Sequence, residues 1–86
     1  MKKVKFNDQK NLLSKKLKIA RIENDLTQVQ LAAKMQTLGI NMDQQMISKI
    51  ENNTRIVTDY EFIAFCCFLK LNPQEILQEF YNKYIF

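Results

Sequence analysis

An all-α fold, a bundle of five short helices, is what this sequence predicts. Three observations lead there. One Gly and one Pro stand among 86 residues rich in Leu, Ile, Lys, Gln and Glu, a balance that favours helix throughout. Apolar residues recur three and four positions apart, the period of an amphipathic helix. Between the periodic segments lie residues that start or stop helices. The hydrophobic share of 47% supports a packed core rather than a disordered chain, and the length suits one domain near the size where a single core becomes marginal.

Residues 1–10 (MKKVKFNDQK) show no helical period. They read as a basic, mobile N-terminal arm, with 11–86 as the folded domain. Leu12, Leu13, Leu17, Ile19 and Ala20, with lysines between them, place the first helix at 11–24, and Asn24-Asp25 forms a turn. Thr27 is a good N-cap and Gln30 completes a capping box, so the second helix runs over 28–38. Its inner face carries Leu31, Ala32, Met35 and Leu38. Gly39 fits the left-handed position that ends a helix.

Asp43 caps the third helix, 44–52. Met46, Ile47 and Ile50 face inward; Gln44, Gln45, Ser48 and Lys49 face out. A polar loop, 52–55, follows. Asp59 or Thr58 caps the fourth helix, 60–69. Asn72 precedes Pro73, which opens the fifth helix, 73–81, where its missing amide costs nothing.

The formal charge is +4 but unevenly placed. Residues 1–21 hold eight basic groups and one acid, Asp8; residues 22–86 hold five basic and eight acidic groups. A basic front end suits a polyanion such as DNA. A solvated lysine-rich helix that aids solubility explains the charge alone equally well. A membrane-surface helix is disfavoured, because no Trp or Phe accompanies the lysines of the first helix.

Histidine is absent, which removes the commonest general base and metal ligand. There is no glycine-rich loop and no carboxylate cluster, so no active site can be assembled and an enzyme is not expected. Cys66 and Cys67 are neighbours that point about 100° apart in a helix and build neither a disulfide framework nor a zinc site. Reduced thiols and a cytoplasmic location are expected. No apolar core follows Met1-Lys2-Lys3, so no signal peptide is read. The apolar run 62–69 is too short to span a bilayer. No metal or cofactor is expected.

Three stretches carry a family resemblance when taken in order. Leu26-Thr27-Gln28 opens the second helix ahead of Leu31-Ala32. Ile47-Ser48-Lys49-Ile50-Glu51-Asn52 occupies the third. Phe62-Ile63-Ala64 with Leu69, then Asn72-Pro73-Gln74-Glu75-Ile76-Leu77, form the last two. Together they resemble the helix-turn-helix proteins of the lambda-repressor/Cro type, the XRE family, over residues 11–80. The resemblance implies a five-helix lambda-repressor-like fold and a sequence-specific, double-stranded DNA-binding transcriptional regulator, a repressor acting as a homodimer.

Roles follow from the resemblance residue by residue. Ala32 lets the second and third helices approach closely. Gln44, Gln45, Ser48 and Lys49 reach base edges in the major groove, where glutamine pairs with adenine and lysine with guanine. Gln28 binds a phosphate at a helix N-terminus. Asn52, Asn53, Thr54 and Arg55 grip the backbone beyond the groove, so Arg55→Ala is expected to weaken all sequences alike and flatten the salt dependence. Arg21 and Glu51 form a structural salt bridge, with Arg21 still able to face a phosphate.

Two departures from the family pattern stand out. The connection between Ala33 and Gln44 is longer than in compact phage repressors, extending the second helix and lengthening the turn. Asn53 replaces the usual Gly after Glu-Asn, and asparagine tolerates the left-handed conformation. The fourth helix is apolar on every side, which implies burial all round, with one face against a second subunit. Phe65, Cys67, Phe68, Phe80, Tyr84 and Phe86 are the candidate dimer-interface residues. A redox-sensing role for the cysteines is the weaker reading of Cys67. The alternative to the regulator is an antitoxin-like module with the same fold, whose fourth helix and C-terminus bind a protein partner.

Overall fold

Side-chain caps set the frame of the structure. Thr27 accepts from the Gln30 amide while the Gln30 side chain returns to the Thr27 amide. Thr58 and Glu61 repeat this box. Asp43 accepts from Met46, and Asn72 from Gln74. Each removes an orphan donor from a first helical turn. The computed structural model describes residues 8–85. They form α1 (Ser14–Glu23), α2 (Gln28–Thr37), α3 (Gln44–Glu51), α4 (Asp59–Leu69) and α5 (Pro73–Phe80), which runs on into a π-helical turn, Tyr81–Ile85. Among the described residues there is no strand and no helix long and apolar enough to cross a membrane. The fold class is the expected one.

α3 lies against both α1 and α2, α4 covers the same pair, and α5 packs on α4. Leu13, Leu17, Leu31, Met35, Met42, Ile47, Ile50 and Phe65 are fully buried and form the core. Ala32 of α2 is 4% exposed, and α2 packs on both α3 and α4; a larger side chain there would have little room.

Several boundaries differ from the sequence reading. α1 begins at Ser14, three residues later than expected, because the Asn11 side chain is drawn to the carbonyls of Ile50 and Arg55. α2 ends at Thr37, one residue before the expected end, and a turn carries the rest of the long connection. Gly39 takes φ +76 there. Buried Met42 anchors that turn, and its carbonyl accepts from Gln36 Nε2 at 2.8 Å. α4 ends on Lys70 in the left-handed conformation, which nothing in the local sequence announced.

α4 is not buried all round. Glu61, Ala64, Phe65, Cys66 and Leu69 face the core, while Tyr60, Ile63 and Cys67 are exposed. Of the candidate dimer residues, Phe65 is corrected: it is 0% exposed and presents no surface to a partner. Cys67 is exposed and Phe68 half-buried, with Lys34 Nζ 5.9 Å from its ring centroid. Phe80 and Tyr84 are half-buried and their ring centroids lie 4.9 Å apart. Phe86, and residues 1–7 of the expected arm, lie outside the described residues. Lys10, read as part of that mobile arm, is tied down: its amide donates to Asn53 Oδ1 at 2.7 Å.

Candidate nucleic-acid interface

The outward face of α3 carries Gln44, Gln45 and Lys49, all exposed, with Ser48 half-exposed. Ile47 and Ile50 on the opposite face are fully buried and fix the helix roll. The side chains expected to read bases thus share one surface on a helix anchored from below.

A polar chain links this face to the interior. Arg21 donates from Nε to Glu51 Oε2 at 2.7 Å, from the second guanidinium nitrogen to Oε1 at 3.2 Å, and from the third to the Leu26 carbonyl at 2.9 Å. The Glu51 side chain is 4% exposed and that of Arg21 13%. A bidentate pair of this kind fixes geometry as well as charge. With all three nitrogens engaged and little surface left, Arg21 ties α1 to α3, the salt bridge expected of it. Gln28 then donates to Glu51 Oε1 at 3.1 Å and accepts from Gln44 Nε2 at 3.4 Å. The chain Arg21–Glu51–Gln28–Gln44 therefore runs from α1 through α3 and α2 to the exposed face. Gln28 retains a second amide hydrogen for a phosphate oxygen. Gln44 retains one amide hydrogen and its carbonyl oxygen, the donor and acceptor that match adenine N7 and N6.

The loop after α3 sorts differently. Asn52 and Thr54 are exposed, and Thr54 Oγ1 donates back to the Lys49 carbonyl at 3.1 Å. Asn53 takes φ +60, and its side chain is wholly engaged within the protein. It accepts from the amides of Lys10 and Asn11 at 2.7 and 3.0 Å, and donates to the Asn11 carbonyl at 3.4 Å and Ser14 Oγ at 3.1 Å. Its expected phosphate contact is corrected to an internal one.

Arg55 is corrected likewise. Its guanidinium makes a fork to Glu61 Oε1 and Oε2, at 2.9 and 3.1 Å, and a further bond to the Ile56 carbonyl. The Glu61 side chain is 3% exposed. Burial pushes the Glu61 carboxyl up, but hydrogen bonds from Arg55 and Thr58 and the Arg55 charge outweigh it and hold the group below its ordinary value. The sequence did not reveal this pair. The only local signal was the capping-box spacing of Thr58 and Glu61, which explains one of the two Glu61 partners. Burial also pushes the Cys66 thiol up, which leaves little reactive thiolate there.

Among the described residues no cluster of His, Cys, Asp or Glu is placed to hold a metal ion. The surface offers amides, a hydroxyl and an ammonium on a rigid helix: groups that recognise hydrogen-bonding edges rather than groups that make or break bonds.

No curated protein and no solved structure matches the chain significantly. A family model described as helix-turn-helix matches residues 17–76, well over half the chain and all of α2, α3 and α4. That family is one of DNA-binding regulators and is not typically enzymatic. The chain belongs to the XRE, or lambda-repressor-like, helix-turn-helix family.

Proposed function

We propose that this protein is a sequence-specific regulator that reads duplex DNA with α3 in the major groove and represses by occupying a promoter in the cytoplasm. Gln44, Gln45, Ser48 and Lys49 meet base edges; Gln28, Asn52 and Thr54 meet phosphates. Phosphate contacts position the helix and base contacts specify the sequence. The observation that carries this reading is the Gln28–Gln44 hydrogen bond on the buried Arg21–Glu51 pair. At 3.4 Å, it biases the exposed Gln44 amide toward one orientation, which favours base readout. A homodimer on half-sites about one helical turn apart completes the reading.

Selection from a random duplex library at two salt concentrations tests it. The expected result is an enriched motif with two related half-sites. Gln44→Ala and Lys49→Ala should then lose discrimination between that motif and its single-base variants. Binding that enriches no motif and vanishes with salt would leave charge attraction alone and sink the reading.

One observation favours a second reading, a partner-binding module. A groove of about 1000 Å³ lies between the turn after α2 and α4, lined by Leu38, Ile40, Tyr60, Ile63 and Cys67 among others. A stable complex with a co-purifying protein, together with no measurable affinity for duplex DNA, would move the assignment there.

A further inference from the structure

We propose that Asn11 and Asn53 form a reciprocal clamp that sets Lys10 beside the loop after α3 as an additional phosphate-contacting residue. The proposal rests on the DNA-binding reading above and extends it to Lys10 and Asn11, which precede the residues matched by the family model.

The clamp is closed from both sides. Asn53 Oδ1 accepts from the Lys10 and Asn11 amides, and its Nδ2 reaches the Asn11 carbonyl and Ser14 Oγ. Asn11 Nδ2 in turn donates to the carbonyls of Ile50 and Arg55, at 3.1 and 3.0 Å, and Asn11 Oδ1 accepts from Leu13. Ile50 is in the last turn of α3, and Arg55 closes the loop. The backbone at residues 10–11 is thus fixed against the C-terminal end of α3 and the loop after it, across 39 to 44 positions of sequence.

Charge makes this placement matter. Phosphate binding draws on cations, and the loop's own cation, Arg55, is turned inward onto Glu61. Asn52 and Thr54 are neutral. Among the described residues no acidic group pairs with Lys10. Its four-carbon stem carries an ammonium from a backbone held within one hydrogen bond of the loop. Lys10 supplies there the charge that Arg55 withholds, and Asn53 is a positioning residue that acts through it.

Affinity for a random-sequence duplex, measured across a salt series, tests the clamp without requiring a known operator. The full chain is compared with Lys10→Gln, Asn53→Gly and the double variant. Glycine keeps the left-handed backbone at Asn53 and removes only the side chain; circular dichroism and thermal unfolding report whether it folds. Lys10→Gln should reduce the slope of log affinity against log salt by about 0.9, the loss of one phosphate contact. Asn53→Gly should reduce it by the same amount, and the double variant no further. An Asn53→Gly protein with a lower melting temperature but the wild-type slope would make the clamp purely structural and overturn the proposal. So would a Lys10→Gln protein with an unchanged slope, or a double variant that loses the sum. A wild-type protein with no salt-dependent duplex binding would overturn the DNA-binding reading itself, and the clamp with it.

Discussion

Arg55 and Glu61 show how one residue's role turns on its surroundings. A loop arginine after a recognition helix invites a phosphate, but here it neutralises a carboxylate that α4 buries. Removing one partner of such a pair leaves a charge without compensation. Arg55→Ala should cost about 3 kcal/mol in urea unfolding, with no change in the salt slope of DNA binding. A flattened slope at unchanged stability would restore the phosphate role. The same pair gives a pH dependence. The folded-state value of Glu61 lies below its ordinary 4.5, so its stabilisation is complete above that value. It is lost as the pH falls below 4.5 and through the lower folded-state value, since the unfolded chain takes up the proton first. Urea midpoints measured between about pH 6 and pH 3 should fall on acidification, and Glu61→Gln should remove that share of the fall.

Element by element, the pair α2 and α3, which presents the proposed reading face, depends on two small features. Ala32 of α2 is nearly fully buried, and α2 packs on α3. Ala32→Leu should destabilise by about 1–3 kcal/mol through overpacking and tilt α3 enough to weaken sequence discrimination. An Ala32→Leu protein that folds and discriminates normally would show that the contact has slack. Thr27 opens α2 with a reciprocal cap, so Thr27→Ala should cost about 1 kcal/mol in chemical denaturation. The cap stands in the sequence as a local pattern and occurs where the pattern puts it, whereas the role of Ala32 came from the family resemblance. The turn from Leu38 to Asp43 was less legible. Its Gly39 announced a helix end, but the burial of Met42 in the core depends on how the packed helices fold the turn back onto them.

In the whole molecule a single core carries the stability. Phe65 is the largest of its fully buried side chains, and an 86-residue chain has little stability in reserve. Phe65→Ala should cost about 3–5 kcal/mol, enough to leave much of the protein unfolded by circular dichroism at ambient temperature. Ile63→Ser, two positions away and exposed on another face of α4, should change stability by only about 0.5 kcal/mol. A loss at Ile63 equal to that at Phe65 would mean that the open face of α4 is covered in solution by another chain.

Order along the chain was written in the residues: five helices, their caps, the inward stripe of α3 and the outward set Gln44, Gln45, Ser48 and Lys49 all follow from spacing and side-chain chemistry. These depend on neighbours three and four positions away, which sequence displays directly. Which polar residues turn inward was decided by the tertiary fold. Asn53 meets Asn11 across 42 positions, and Gln28 meets Glu51 across 23. The apolar run of α4 showed that the helix packs but not which side stays open, because all its faces look alike until α1, α2 and α5 have taken theirs. A hydrogen-bonding side chain satisfies whichever partner the packed core brings within about 3 Å. Arg55 and Asn53 looked in sequence like their exposed neighbours Asn52 and Thr54, and only the approach of α4 and of residues 10–14 turned them inward.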